Sequence, residues 1–109
     1  MPELVVHHYL TDRGADLFQD WLDRLPDLAA RIAIQRRIDR ARGGNLGDHR
    51  ACGASVWEFR IDVGPGYRVY FTSVGRNTLL ILCAGSKRTQ RKDIERAVRL
   101  QSDHARRAE

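Results

Sequence analysis

The sequence predicts an α+β domain of two layers, in the order βααβββα, with the helices packed on one face of a mostly antiparallel sheet. Three observations lead there. Val56 to Lys87 reads as three consecutive strands parted at Gly64-Pro65-Gly66 and around Gly75-Arg76-Asn77, and the first two alternate side-chain character with the period of two that strands impose. Two earlier segments carry apolar residues at helical spacing and are parted by Pro26. With 109 residues there is room for one core, so residues 1–109 form a single domain.

Glu3 to Tyr9 reads as the first strand, rich in β-branched and aromatic residues. Asp12 is placed to cap a helix over Gly14 to Leu25, where Leu17, Phe18, Trp21, Leu22 and Leu25 form a stripe. Pro26 stops this helix and can open the next at its first turn. The second helix carries Leu28, Ile32, Ile34, Ile38 and Ala41 and ends at Gly43-Gly44. So short a connection implies an antiparallel helical hairpin. Asn45 to Ser55 reads as a polar loop, Cys52 within it, and three strands follow. Thr89 can cap a last helix whose inner stripe includes Ile94, Ala97 and Val98, and Ser102 to Glu109 is expected to fray.

The strand faces have chemical consequences. Trp57, Phe59 and Ile61 point one way and Glu58, Arg60 and Asp62 the other. Beyond the turn, Tyr67, Val69 and Phe71 share the core face, while Arg68, Tyr70 and Thr72 share the outer one. Read as a three-residue hairpin loop, Gly64-Pro65-Gly66 sets Val63 opposite Tyr67, Ile61 opposite Val69 and Arg60 opposite Tyr70. The outer face then gathers Glu58, Arg60, Asp62, Arg68 and Tyr70 on an open sheet, a surface suited to an anion.

Composition narrows the function classes. A formal net charge of +5 favours polyanionic or acidic partners. One basic group, Arg31, Arg36, Arg37, Arg40 and Arg42, lies on the second helix. Another, Lys87, Arg88, Arg91, Lys92, Arg96 and Arg99, begins where the last strand ends. No apolar run reaches the ~18 residues of a membrane span, and the N-terminus lacks the pattern of a signal peptide, so a cytoplasmic protein away from membranes is expected. Cys52 and Cys83 form neither a disulfide framework nor a metal half-site. His7 and His8 face opposite sides of a strand, and His49 and His104 are remote, so neither metal nor cofactor is expected. Trp21, Trp57 and Cys83 read as core. Glycine-rich phosphate loops and Ser-His-Asp arrangements are absent from the sequence.

The WL..L string of the first helix, GNLGD in the loop, WEFRI, GPGYRVYF and LLILCAGSKRTQ with its following D-I resemble the RelE/ParE toxin superfamily of type II toxin–antitoxin systems. Within it the chain is most similar to the HigB-like, phage-derived addiction module killer branch, over about Leu4 to Leu100. The resemblance implies a RelE-like toxin domain acting as a ribosome-dependent endoribonuclease, an mRNA interferase that inhibits translation. Cleavage is then attack by the ribose 2′-hydroxyl on the adjacent phosphate, with no metal required. The partners implied are the ribosome, mRNA and a cognate antitoxin, acidic or helix-turn-helix in type and encoded next door.

By motif, Arg68 corresponds to the family's central strand arginine and is the first candidate for a phosphate clamp, since its fork can bind two phosphate oxygens. Lys87 and Arg88 fall at the basic position after the last long strand, for transition-state charge and leaving-group protonation. Arg60 shares the face of Arg68. Glu58 lies where a general base would sit, but two nearby arginines favour its ionised form and make it a weak base, better suited to positioning arginine. Tyr70 is expected to stack on a base or orient an arginine, and Arg91 and Lys92 extend the RNA-binding surface. The chain departs from the best-studied branch in having Val56 and Glu58 where that branch has lysines, and Ile94 where it has a tyrosine. Against the nuclease stand a ParE-like gyrase poison without RNA chemistry and an inactive basic module that binds nucleic acid. A purely structural role also remains open, with Arg60 and Arg68 pairing with Glu58 and Asp62 as a cross-strand ladder.

Overall fold

The computed structural model describes residues 3–108, so Met1, Pro2 and Glu109, which belong to the expected domain and tail, lie outside the described residues. The fold is α+β, a mixed five-stranded sheet with three α-helices. In chain order the elements are β1 (Val5–His8), α1 (Leu17–Arg24), α2 (Leu28–Arg42), β2 (His49–Gly53), β3 (Val56–Ile61), β4 (Tyr67–Val74), β5 (Thr78–Ser86), a 3-10 turn over Lys87–Thr89, and α3 (Gln90–Arg107). The sheet order is β1-β5-β4-β3-β2. β1 runs parallel to β5, and the remaining pairs are antiparallel.

One strand was hidden in the expected loop. β2, His49-Arg50-Ala51-Cys52-Gly53, pairs with β3 as an edge strand. Its polar, largely exposed residues show no alternation to read. Its turn is hidden too: Ala54 and Ser55 take φ values of 49° and 64°, the positive region that two-residue hairpins need, without an Asn-Gly signature.

The helices do not share one face. Phe18 and Leu22 of α1 and Ala30, Ile34, Ile38 and Ala41 of α2 pack with Phe59, Ile61, Val69, Phe71, Leu79 and Ile81. Ala97 of α3, with Ile94 and Val98 beside it, closes the opposite face over Val56, Tyr70, Leu80, Leu82 and Cys83. This corrects the two-layer expectation, and its cause lies in β4 and β5. Both are buried along nearly their whole length, and a strand buried on both sides needs a cover on each. Arg68 and Tyr70 therefore lie beneath a helix.

Other expectations shift by a few residues. Asp16 caps α1 in place of Asp12, accepting from the Gln19 amide at 3.0 Å while its other oxygen meets His8 Nδ1 at 2.7 Å. Asp27 caps α2, leaving Pro26 outside both helices. Leu28 and Ile32 are exposed, because the buried stripe of α2 is Ala30, Ile34, Ile38 and Ala41. The β3–β4 register sets Ile61 opposite Tyr67, Arg60 opposite Arg68 and Glu58 opposite Tyr70. The loop is thus Asp62 to Gly66, and the slip of two residues leaves every side chain on its expected face. Trp57 is 37% exposed, beyond the cover of the helical hairpin, with its ring 5.9 Å from that of His49. The C-terminal segment is helical to Arg107. There the Tyr9 hydroxyl donates to Asp103 at 2.5 Å and Arg107 donates to the Leu10 carbonyl at 2.7 Å, tying α3 to the end of β1.

Candidate functional site

Where β3 and β4 pass under the start of α3, a buried carboxylate organises the site. Alternation turns Glu58 and Arg68 toward α3, and both side chains are 2% exposed. Arg68 Nε lies 3.6 Å from Glu58 Oε2, a charge contact too long for a good hydrogen bond. The short bonds to Glu58 come from elsewhere. Gln90 Nε2, in the first turn of α3, donates at 2.9 and 3.2 Å to its two oxygens. The Cys52 thiol, brought over by β2, lies 3.4 Å from Oε1. Arg60 Nε approaches Oε2 at 3.9 Å from the rim, its side chain 35% exposed.

The far end of Arg68 donates to the Tyr67 carbonyl at 3.0 Å and lies 3.6 Å from exposed Asp62. Gly66 separates this guanidinium from Lys87. A methyl built on Gly66 would stand 3.5 Å from Lys87 Cβ and 3.8 Å from Arg68 Nη1, and the Lys87 amide donates to the Gly66 carbonyl at 2.9 Å. Lys87, Arg88, Arg91 and Lys92 are exposed on the 3-10 turn and the first turn of α3. None of these four pairs with a carboxylate among the described residues.

The structure thus joins Glu58, Arg60, Arg68 and Lys87 in one neighbourhood, with Arg88, Arg91 and Lys92 on the adjoining surface. It also corrects two expected roles. Arg68 is not on an open face, so as the fold stands it orients and charges the site from below. Tyr70 is fully buried and cannot stack on an entering base. Its hydroxyl finds no hydrogen-bond partner among the described residues. Burial first, and the negative charges of Glu58 and Asp93 next, raise its pKa and keep it a neutral phenol. Burial, aided by Glu58, likewise pushes the Cys52 thiol up to about 12, so the group facing Glu58 is a thiol.

Gln90 and Cys52 belong to this site and were not singled out from the sequence. Gln90 follows the last strand closely in the TQ pair, but a lone amide has no charge or period to mark it. Cys52 sits in the strand that was read as a loop.

The chain matches no family model. It is 42% identical over 80 residues to an uncharacterized protein of Haemophilus influenzae, a match that spans 73% of this chain and 81% of that protein.

Proposed function

The chain belongs to the same family as this Haemophilus influenzae protein, and we propose that it is a toxin of a type II toxin–antitoxin system, a ribosome-dependent endoribonuclease with a RelE-like fold. The sequence resemblance motivates the reading. The observation that carries it is the gathering of Arg60, Arg68 and Lys87 around the turn that ends β3, with Arg88, Arg91 and Lys92, exposed on the adjoining surface, beside them. Cleavage by the neighbouring 2′-hydroxyl needs fixed positive charge around a phosphate that becomes more negative in the transition state. The 2′-hydroxyl gives its proton to solvent water as its oxygen bonds to phosphorus, the bond to the 5′-oxygen breaks, and that oxygen takes up a proton from Lys87. Cyclic phosphate and 5′-hydroxyl ends result.

In this scheme Arg60 and Lys87 contact the phosphate, and Lys87 protonates the leaving oxygen. Arg68, held by Glu58 and Asp62, is a positioning residue. Arg88, Arg91 and Lys92 guide the strand. A cognate antitoxin of acidic or helix-turn-helix type covers this basic surface. The test is purified ribosomes programmed with end-labelled mRNA. Fragments with cyclic phosphate and 5′-hydroxyl ends are expected, and intact message at every protein concentration would overturn the reading. The burial of Arg68 favours a second reading, a gyrase poison of the same superfamily without RNA chemistry. That reading predicts inhibited supercoiling alongside intact mRNA.

A further inference from the structure

β1 accompanies β5 only as far as Ile81, with Tyr9 N–H donating to the Ile81 carbonyl at 2.8 Å. From Leu82 to Ser86 the outer edge of β5 is therefore free of a strand. The Lys87 amide bonds to Gly66, and the antiparallel alternation then turns the backbone of Ser86 and Ala84 away from β4 and toward that edge. Two side chains stand at the edge carbonyls: Arg96 donates to the Ala84 carbonyl at 3.4 Å, and the Thr89 hydroxyl oxygen lies 3.4 Å from the Ser86 carbonyl. By the same alternation the N–H groups of Ala84 and Ser86 face this edge, on the side of β5 away from β4.

A cleft of about 320 Å³ opens at this edge, between the end of α1 and the start of α3. Trp21 and Tyr67 form its aromatic wall, their rings 5.9 Å apart and edge to face. Asp93 and Arg96 line the opposite side, at 3.8 Å from each other. The buried Nε of Arg96 has no hydrogen-bond partner among the described residues. Gly85 makes room for the acid, since a methyl there would lie 1.9 Å from Asp93 Oδ2. Asp93 Oδ2 already accepts from Thr89 at 2.5 Å, whereas Oδ1 meets only the long Arg96 contact.

We propose that this cleft is a guanine pocket. This rests on the nuclease reading and supplies that reading with a base preference. The cleft offers N–H donors from Ala84, Ser86 and Arg96 and one carboxylate acceptor. Guanine presents the complement: two adjacent acceptors, O6 and N7, and two adjacent donors, N1–H and the 2-amino group. The space suits one base against an aromatic wall better than a long strand. Lys87 follows Ser86 directly, so a base held here belongs to a nucleotide next to the phosphate-binding cations.

The full-length protein, labelled with ¹⁵N, tests this by titration with the 5′-monophosphates of guanosine, adenosine, cytidine and uridine. All four carry the same phosphate, so differences among them report the base. Saturable shifts of the Ala84 and Ser86 amides and the Trp21 indole with the guanosine nucleotide, far exceeding those with the other three, are expected. Arg96→Gln should weaken that binding by about tenfold while keeping a dispersed spectrum, and Asp93→Asn should weaken it independently. Equal responses to all four nucleotides, no response, or unchanged binding in both variants would overturn the pocket. So would shifts along Leu82 to Ser86 that appear only with an extended peptide, which would make the edge a protein-docking strand. Guanosine binding without mRNA cleavage would remove the nuclease reading alone. Cleavage at the same positions and rates in Arg96→Gln would remove the pocket alone.

Discussion

Glu58 and Arg68 are the residues whose burial changes the account of this molecule most. An exposed ion pair contributes little, but a buried charge that loses its partner is expensive. Arg68→Ala leaves Glu58 2% exposed with only Gln90, Cys52 and distant Arg60 against it. The variant is expected to lose about 3–5 kcal/mol in urea unfolding. A loss below about 1 kcal/mol would mean that solvent reaches Glu58 readily. Tyr70 and Cys52 lie beside the same carboxylate. Both have folded-state pKa values raised above the ordinary ones, so the unfolded chain releases these protons first. Their contribution to stability is complete below about pH 9 and is lost as pH rises toward the folded value of about 12 for Cys52. Unfolding free energy measured against pH should fall across that window, and Cys52→Ser combined with Tyr70→Phe should flatten the fall.

At the scale of elements, α3 explains both what the sequence revealed and what it concealed. The apolar stripes of α1 and α2 and the alternation of β3 and β4 were legible because each buries one side. The run Leu79 to Ala84 signalled a strand, and its lack of alternation also meant two covered faces, the clue to α3 on the second face. β2 stayed hidden because an exposed edge strand of His, Arg, Ala, Cys and Gly has no buried side to impose a period. The helical C-terminal segment was obscured because its anchors, Asp103 to Tyr9 and Arg107 to Leu10, span nearly the whole chain. The basic site residues were legible by type and face, but not their depth, which depends on a helix more than twenty residues away in sequence. α3 approaches β5 closely at Gly85, where an added Cβ meets Asp93 Oδ2 at 1.9 Å and Thr89 Oγ1 at 3.0 Å. Asp93 is too short to swing aside, so Gly85→Ala should displace the start of α3 and cost about 1–3 kcal/mol in thermal or urea unfolding. Wild-type stability in that variant would mean that α3 docks loosely.

The whole molecule is basic, and its cations are unevenly placed. Arg60, Lys87, Arg88, Arg91 and Lys92 lie around the site, while Glu58 and Asp62 engage Arg68. If this end takes RNA, affinity for a short single strand should fall as salt rises. The slope of log K against log salt would be roughly −2 to −3, the value for three or four phosphates. Binding independent of salt would place the contact surface elsewhere. No helix among the described residues is long and apolar enough to cross a membrane. Lys87 is the most direct probe of the proposed chemistry, because it is exposed and its loss leaves no buried charge. The deciding measurement is primer-extension mapping of a reporter mRNA after brief induction of wild type and Lys87→Ala in cells. New 5′ ends inside translated codons are expected with wild type, absent when the start codon is removed and reduced by about 10²–10³-fold with Lys87→Ala. Intact mRNA in cells whose growth has stopped would contradict the proposed chemistry.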